Sequence, residues 1–277
     1  MKVWVNGRLL EDPASPVVSV LDHGMIVGDG IFESIAVTDG EPFALTRHLD
    51  RLVRSAEGLG LDRPDVAAVR EGVAATMEGQ DLSFALIRVT VTSGIGPLGS
   101  PRGTSPQTVA VATTPIVKPP AVGQAVTVPW ARNEKGALAG LKTTSYAENA
   151  KMITYAKDRG AQEALMPNTL GQLCEGTGSN VFYVVDGQMC TPTLAAGPLA
   201  GVTRALVLEW CADELGVVER DAPMDVLFSA DEVMLIGTTR DVQALDRIDD
   251  RELAAPGPVT RRAQEIWARE VVKSNDP

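Results

Sequence analysis

The chain has 277 residues, 44% of them hydrophobic and 22% charged, which is enough for one large or two modest globular domains with a substantial core. Its 25 basic and 36 acidic residues give a net charge of −11, so nucleic acid and anionic membrane surfaces are poor partners. No apolar run reaches the length of a membrane span, and the first residues lack the apolar core of a secretory signal. We therefore expect a soluble, cytoplasmic protein.

Cysteine and histidine usage argues against a metal centre. Cys174, Cys190 and Cys211 are scattered and lack the CxxC spacing of a zinc site or redox pair, so we expect three reduced thiols. His23 and His48 are the only histidines, too few for a His-rich site. We expect no metal, and a catalytic base other than histidine.

The first half of the chain alternates hairpin and helix patterns. Alternating Val3 and Val5 before the turn dipeptide Asn6-Gly7 predict a hairpin. Apolar residues at helical spacing predict a helix between Leu45 and Leu59. The other elements predicted here are a second hairpin with strands at 31–38 and 41–45, a helix at 65–77, and strands at 84–91 and 108–111. Together they predict an α+β unit.

A proline-rich stretch at residues 115–123 is typical of a stiff connector. We therefore predict an N-terminal α+β domain at residues 1–118, a linker at 119–123 and a C-terminal domain at 124–277. The elements predicted after the linker are a strand at 125–128, a helix at 146–159, a hairpin around 186–187, a helix at 202–215 and a strand at 232–236.

Two glycine-rich segments resemble known motifs only superficially. Residues 94–99 satisfy G-x-G-x-x-G after a strand, but Pro97, Pro101 and Pro106 disfavour the helix that a dinucleotide fingerprint requires. We expect a loop there, at the rim of an active site or elsewhere on the surface. Residues 176–180 contain a serine among glycines but not the G-x-S-x-G of a hydrolase nucleophile.

Lys142 differs from the other six lysines of the chain. It follows an apolar approach at residues 136–141 that has no carboxylate, where desolvation favours the neutral amine. A neutral amine is the nucleophile that carbonyl chemistry requires. From the local sequence alone, a solvated or salt-bridged lysine remains the simpler interpretation.

The segments around Lys142 occur in a characteristic order. They read DHG at 22–24, GDGIFE at 28–33, HLDRL at 48–52, LKTTSYAEN at 141–149, LCEGTGSNVF at 173–182 and GVTR at 201–204. In order and spacing these segments resemble the fold type IV pyridoxal-phosphate enzymes, which include branched-chain and D-amino acid aminotransferases, (R)-amine transaminases and aminodeoxychorismate lyase. The resemblance implies a two-domain α/β (α+β) architecture: a small N-terminal α+β domain and a larger C-terminal domain with a barrel-like sheet flanked by helices.

The resemblance also implies a cofactor, pyridoxal 5′-phosphate, and residues that bind it. Lys142 is expected to bond covalently to the cofactor and to act as the catalytic acid and base, and Glu175 to face the ring nitrogen. A guanidinium suits a phosphate dianion, and so does a helix N-terminus. The residues expected at the phosphate are Arg51, Gly201, Val202, Thr203 and Thr238, and Tyr146 is expected at the ring oxygen unless it is a core or surface tyrosine.

The residues expected to face the substrate depart from each subgroup of the family. Where D-amino acid aminotransferases carry an arginine that binds the substrate carboxylate, residues 92–94 read T-S-G, and where the branched-chain enzymes carry a tyrosine, this chain has Val27. Arg88 and Arg240 are the substitute candidates, although Arg88 suits a structural acid equally well and Arg240 a pair with Asp241. The full expected set is Val27, Phe32, Ser34, Arg88, Thr239 and Arg240.

We expect a transaminase that moves an amino group between a small amino acid or amine and a 2-oxo acid such as pyruvate, most simply of D-amino acid or (R)-amine type. Aminodeoxychorismate lyase, which releases pyruvate, and a branched-chain L-amino acid aminotransferase are the alternatives within the family. An inactive, cofactor-free binding protein is the alternative outside it, and the intact Lys142 and Glu175 argue against that. The resemblance further implies a homodimer.

Overall fold

The computed structural model describes all of residues 1–277. Its contacts divide the chain into two compact units. The first unit comprises residues 1–118, 141–146 and 275–277, and the second comprises 119–140 and 147–274. Residues 141–146 thus belong to the first unit although they lie beyond the predicted linker in sequence. The domain limits remain a prediction, because a compact unit need not fold independently.

The first unit contains one six-stranded antiparallel sheet and three helices. Its elements are β1 (Lys2–Val5), β2 (Arg8–Leu9), α1 (His23–Ile26), β3 (Gly30–Thr38), β4 (Glu41–Pro42), α2 (Leu45–Leu59), α3 (Val66–Met77), β5 (Phe84–Thr92) and β6 (Thr108–Pro115). The strand order is β2-β1-β6-β5-β3-β4. Both predicted hairpins and both predicted helices are confirmed.

Strand alternation gives this sheet two different faces. Ile31 and Ile35 of β3 pack with Ile87 of β5 and with Leu49 and Leu52 of α2 in the core of the unit. Residues between them in sequence, on β3 and β5, point to the opposite face. The unit therefore has one face closed by helices and a second face that can carry functional side chains.

The segment containing Lys142 extends the sheet at β3. Ile31 and Thr143 form an antiparallel bridge, the Phe32 N–H donates to the Lys142 carbonyl at 2.9 Å, and the Thr144 N–H donates to the Gly30 carbonyl at 2.8 Å. Backbone hydrogen bonds of this kind fix the register of a strand against its neighbour. They consequently fix where the Lys142 side chain begins.

The second unit contains one mixed nine-stranded sheet. Its elements are β7 (Val122–Thr127), α4 (Ala147–Lys157), β8 (Glu163–Pro167), β9 (Leu173–Gly176), β10 (Asn180–Val185), β11 (Gln188–Thr191), a 3₁₀ turn (Leu194–Ala196), α5 (Val202–Leu215), β12 (Val218–Glu219), α6 (Val226–Ser229), β13 (Glu232–Gly237), β14 (Asp241–Ile248), β15 (Arg251–Glu252) and α7 (Pro258–Val271). The order is β12-β11-β10-β13-β14-β7-β8-β9, with β15 on β14.

Several boundaries differ from the predicted ones. β7 begins at Val122, inside the segment predicted as a connector, and α4 begins at Ala147 because Tyr146 belongs to the segment that pairs with β3. The predicted helix at 202–215 is confirmed, whereas α7 was not predicted. Residues 93–107 form a loop without a helix.

The three cysteines are free and buried, and burial raises the pKa of each thiol. No group of three metal-ligating side chains comes together. None of the helices is both long and apolar enough to span a bilayer.

Candidate active site

The Lys142 amine lies among aromatic side chains of the first unit. Its Nζ is 3.5 Å from the Tyr146 hydroxyl and 4.2 Å from the centroid of the Phe32 ring. Phe32 and Tyr146 meet edge to face, with centroids 4.9 Å apart. The Arg88 guanidinium lies 3.3 Å from the same Phe32 centroid. Both cationic side chains therefore contact the Phe32 ring.

Phe32, Ser34 and Arg88 share the sheet face that points away from the helices. Ser34 is directly opposite Arg88 across β3 and β5. Arg88 stacks on Phe32, makes no hydrogen bond or ion pair within the chain, and burial lowers its pKa from the usual value. A partly buried guanidinium without an acid is costly, which makes this place attractive to an anion.

Arg51 is held by a buried carboxylate. Glu33 Oε1 accepts from Arg51 Nε at 2.8 Å, and Glu33 Oε2 accepts from Arg51 Nη2 at 2.6 Å and from His48 Nδ1 at 2.8 Å. Burial alone would raise the pKa of Glu33, but the Arg51 charge and the three hydrogen bonds outweigh it and lower that pKa to about 2. Burial lowers the pKa of His48, which favours the neutral ring. The cluster fixes the Arg51 side chain.

Glu175 lies on β9 in the second unit, and two groups orient its carboxylate. The Leu199 N–H donates to Oε2 at 2.9 Å, and Arg132 Nη2 is 3.5 Å from Oε1. Arg132 Nη2 also lies 3.4 Å from Asn149 Oδ1, and Asn149 Nδ2 donates to the Thr177 carbonyl at 2.7 Å. The acid is therefore part of a connected polar network.

The N-terminus of α5 lies in the same unit and has no side-chain cap. Gly201 is the N-cap residue, and Val202 and Thr203 in the first turn are buried. A Cβ atom on Gly201 would lie only 2.0 Å from Asn180 Oδ1, so glycine is needed there for steric reasons. A tight, uncapped helix N-terminus is a suitable place for a phosphate.

Thr238, Thr239 and Arg240 form the turn between β13 and β14. Arg240 Nη1 donates to Gln243 Oε1 at 2.6 Å, and Arg240 Nη2 lies 3.5 Å from Glu163 Oε2. Glu163 is fully buried and accepts hydrogen bonds from the loop of residues 177–179. An acid therefore already neutralises Arg240, and the acid is Glu163.

Val27 is the C-cap of α1 and its side chain is exposed. It lies one residue before Gly28, whose carbonyl accepts hydrogen bonds from Thr144 Oγ1 at 2.8 Å and Ser145 Oγ at 3.1 Å in the Lys142 segment. The structure thus brings Phe32, Arg88, Lys142 and Tyr146 together, with Ser34 on the same face.

Sequence reasoning missed the residues that position the Arg51 and Glu175 side chains. Glu33 and His48 stood only in matched motifs, yet a signal was present: alternation places the Glu33 acid on the core face with Ile31 and Ile35, where it requires a buried cation. Arg132 gave no such signal, because α4 and β8 lie between it and Glu175 in the sequence.

The residues present fit pyridoxal phosphate. Its aldehyde requires an amine in apolar surroundings, its ring nitrogen an oriented acid, and its phosphate a cation and helix N–H groups. The first unit contains such an amine, Lys142, and a cation, Arg51; the second unit contains an oriented acid, Glu175, and the uncapped N-terminus of α5.

Comparison with known proteins gives a consistent result. The profile of the family described as amino-transferase class IV matches residues 30–248. A putative branched-chain-amino-acid aminotransferase of Methanocaldococcus jannaschii is 33% identical, with 96% of this chain and 94% of that protein covered. A D-alanine aminotransferase of Bacillus licheniformis is 31% identical, with 95% of each chain covered. The crystal structure of a branched-chain aminotransferase from Thermoproteus uzoniensis with norvaline has a TM-score of 0.89 at 30% identity, covering 99% of this chain and 95% of that one.

Proposed function

Because this chain belongs to the class IV aminotransferases, which use pyridoxal phosphate and have the fold type IV architecture, we propose that it transfers an amino group from a small D-amino acid or (R)-amine to a 2-oxo acid such as pyruvate. The observation that carries the proposal is the position of the Lys142 amine against Phe32 and Tyr146, with Arg88 on the same ring. The D-alanine aminotransferase relative supports the donor class.

We propose these roles for the cofactor-binding residues. Lys142 forms the covalent bond to the cofactor, Tyr146 donates a hydrogen bond to the ring oxygen, and Glu175 accepts one from the ring nitrogen. The remaining cofactor residues, Arg51, Gly201, Val202, Thr203 and Thr238, bind the phosphate. The Glu33 carboxylate, which accepts hydrogen bonds from both Arg51 and His48, and the uncapped first turn of α5 support the phosphate assignments.

The bound cofactor supplies an electron sink that acidifies the α-carbon of the amino donor. The chain's own contribution begins with Lys142, whose Nζ takes the proton from that carbon and returns a proton to complete the transfer. Phe32 shields this amine from water, and its edge contact with Tyr146 holds both rings in place. Glu175 keeps a negative charge beside the ring nitrogen. Because donor and acceptor use the same residues in turn, we expect ping-pong kinetics.

For the substrate carboxylate we propose Arg88. It stacks on Phe32, which the Lys142 amine also contacts, and makes no ion pair within the chain, whereas Arg240 faces Glu163. Phe32 and Ser34 form the surface beside Arg88, and we propose Val27 and Thr239 as further substrate contacts. A carboxylate bound by Arg88 suits an amino acid donor as well as a 2-oxo acid acceptor.

Branched-chain L-amino acid transamination is the second candidate, favoured by the branched-chain aminotransferase relatives from Methanocaldococcus jannaschii and Thermoproteus uzoniensis. Stereochemistry separates the two. The assay supplies 2-oxobutyrate with D-alanine, L-leucine or (R)-1-phenylethylamine in separate reactions, because D-alanine and pyruvate would only exchange into each other, and aminodeoxychorismate alone in a fourth. We expect 2-aminobutyrate to accumulate faster with D-alanine or (R)-1-phenylethylamine than with L-leucine. Faster turnover of L-leucine, or release of pyruvate from aminodeoxychorismate, would overturn the donor class.

We also propose that the protein forms a homodimer. Several apolar side chains of the first unit are exposed on one surface: Val20, Leu21, Met25, Val27, Ile95 and Leu98. Backbone contacts join the two segments that carry them, since the Gly96 N–H donates to the Leu21 carbonyl and Ile95 bridges Asp22. Exposed apolar patches of this kind mark interaction surfaces.

Replacing Lys142 tests the central role directly. In Lys142→Ala the visible absorbance band of the bound cofactor should disappear and turnover should fall by at least about 100-fold, the lower end of what acid-base catalysis contributes. Lys157→Ala, on the exposed side of α4, is the matched control and should behave as wild type. Borohydride reduction followed by peptide mass spectrometry should label Lys142, and a label on another lysine would contradict the assignment.

A further inference from the structure

We propose that Arg132 is a positioning residue for cofactor binding and acts through Glu175. The inference rests on the proposed contact between Glu175 and the ring nitrogen. Arg132 does not itself touch the cofactor in this proposal. Its function is to keep the Glu175 carboxylate ionised and aimed, so that one carboxylate oxygen meets the ring N–H.

The first argument is the geometry around the acid. The two oxygens of Glu175 have different partners: the Leu199 N–H donates to Oε2 at 2.9 Å, and the Arg132 guanidinium is 3.5 Å from Oε1. Both side chains are largely shielded from solvent, with 12% of Glu175 and 21% of Arg132 exposed. An ion pair in such surroundings is screened far less than one on the surface.

The second argument is how Arg132 itself is fixed. Its N–H donates to the Pro167 carbonyl at 2.8 Å, and it forms a backbone bridge with Asn168. The Nη2 atom also lies 3.4 Å from Asn149 Oδ1. The guanidinium is therefore anchored from the backbone and from α4. Its Nε is buried and has no hydrogen-bond acceptor, so the contacts that orient the guanidinium are those of Nη2.

The third argument concerns the two conditions under which a carboxylate can bind the protonated ring nitrogen: it must point at the ring, and it must carry its charge. An unrestrained acid can rotate away from the ring or become neutral, and in either case it loses the charge-assisted hydrogen bond. A cation on one oxygen and a backbone N–H on the other oppose both changes. Outer-shell partners of this kind hold metal ligands in the same way.

The test compares two cofactors. Apoenzyme is titrated with pyridoxal phosphate and with its 1-deaza analogue, in which a C–H group replaces the ring nitrogen. Wild type should bind pyridoxal phosphate more tightly than the analogue. In Arg132→Met the affinity for pyridoxal phosphate should fall about tenfold, the lower end of what loss of an outer-shell partner costs at metal sites. The affinity for the analogue should stay within about twofold, because the analogue has no nitrogen for Glu175 to recognise.

Two further variants separate positioning from structure. Arg132→Lys keeps a cation and should recover most of the preference for pyridoxal phosphate. Glu175→Gln should abolish that preference, and Arg132→Met should then have no further effect on it. The thermal unfolding temperature of each apoenzyme is measured in parallel to identify variants that fail to fold. If Arg132→Met fails to fold, the cofactor preference of Arg132→Lys is compared with that of wild type instead.

The outcomes are distinguishable. If Arg132→Met lowers the affinity for both cofactors equally, or leaves the wild-type preference for pyridoxal phosphate intact, Arg132 is not a positioning residue. The role of Glu175 then stands. If wild type shows no preference for pyridoxal phosphate over the analogue, or Glu175→Gln retains one, the proposed contact of Glu175 fails, and the role of Arg132 fails with it.

Discussion

Arg88 and Arg240 differ in what surrounds their charge. Arg240 faces the buried acid Glu163 and donates to Gln243, so a substrate carboxylate would have to compete with partners already in place. Arg88 has only the face of Phe32, and burial lowers its pKa. An anion that reaches Arg88 gains a charge-assisted contact without displacing one. At the residue scale, this difference is the reason for proposing Arg88 and not Arg240 at the substrate carboxylate.

Pyruvate and acetaldehyde differ by a carboxylate, which makes them a suitable pair of acceptors. In Arg88→Gln the KM for pyruvate should rise about 10- to 100-fold, since a hydrogen bond to a charged group contributes about 1.5–3 kcal/mol. The KM for acetaldehyde should change little. Arg240→Gln should instead lower the thermal unfolding temperature, because Glu163 loses its cation. Loss of the pyruvate preference in Arg240→Gln alone would assign the carboxylate to Arg240.

The sequence identified single residues better than it identified their partners. Lys142 could be distinguished because the other six lysines are terminal, in the proline-rich connector or close to acidic residues, and because the surrounding motifs resemble a known family. The partners of Glu175 could not, because Arg132 and Leu199 meet it only after the second unit has folded. Local patterns carry no information on such long-range side-chain contacts.

The same limit applies to whole elements. α2 was predictable because its buried residues, such as Leu49, Leu52 and Ala56, recur at helical spacing. α7 also buries residues at helical spacing, Thr260, Ala263, Ile266 and Trp267, so its pattern was present in the sequence although the helix was not predicted. The pairing of residues 142–144 with β3 joins segments about a hundred residues apart, and no local periodicity encodes it.

The loop at residues 93–107 is held by Arg102, which its glycine- and proline-rich sequence did not indicate. Arg102 Nε and Nη2 donate to the two oxygens of Asp29, each at 2.7 Å, and its guanidinium also donates to the carbonyls of Leu59 and Gly60. The hydrogen bonds from Arg102 are the largest influence on Asp29 and lower its pKa. One side chain therefore connects the loop to β3 and to the end of α2.

Releasing this anchor should loosen the loop without unfolding the unit. In Arg102→Gln, hydrogen exchange at residues 95–106 should become faster, while the free energy of unfolding should fall by about 1 kcal/mol or less, as expected for a partly exposed ion pair. Arg54→Gln, on the exposed side of α2, is the matched control and should leave exchange in the loop unchanged. Unchanged exchange in Arg102→Gln would mean that the loop is held by other contacts.

At the scale of the whole molecule, net charge and exposed apolar surface have opposite effects on the association of two chains. Each chain carries a net charge of −11, so two copies repel, and that repulsion weakens as salt screens it. The apolar patch formed by Val20, Leu21, Met25, Val27, Ile95 and Leu98 favours association. If the patch is the dimer contact, the dimer should be more stable at high salt than at low salt, since salt screens charge and leaves apolar burial intact.

Val20 offers the sharpest test, because 72% of its side chain is exposed in the single chain and a substitution there should cost the fold little. Burying a valine contributes about 1.5 kcal/mol or more, and a symmetric dimer buries two, so Val20→Glu should weaken dimerisation by at least about 100-fold. Light scattering during size-exclusion chromatography measures this, at low and high salt. Val117→Glu, at a position 92% exposed outside the patch, adds the same charge and is the matched control. A dimer that survives Val20→Glu but dissociates with Val117→Glu would place the interface elsewhere. If both variants dissociate equally, net charge and not the patch controls assembly.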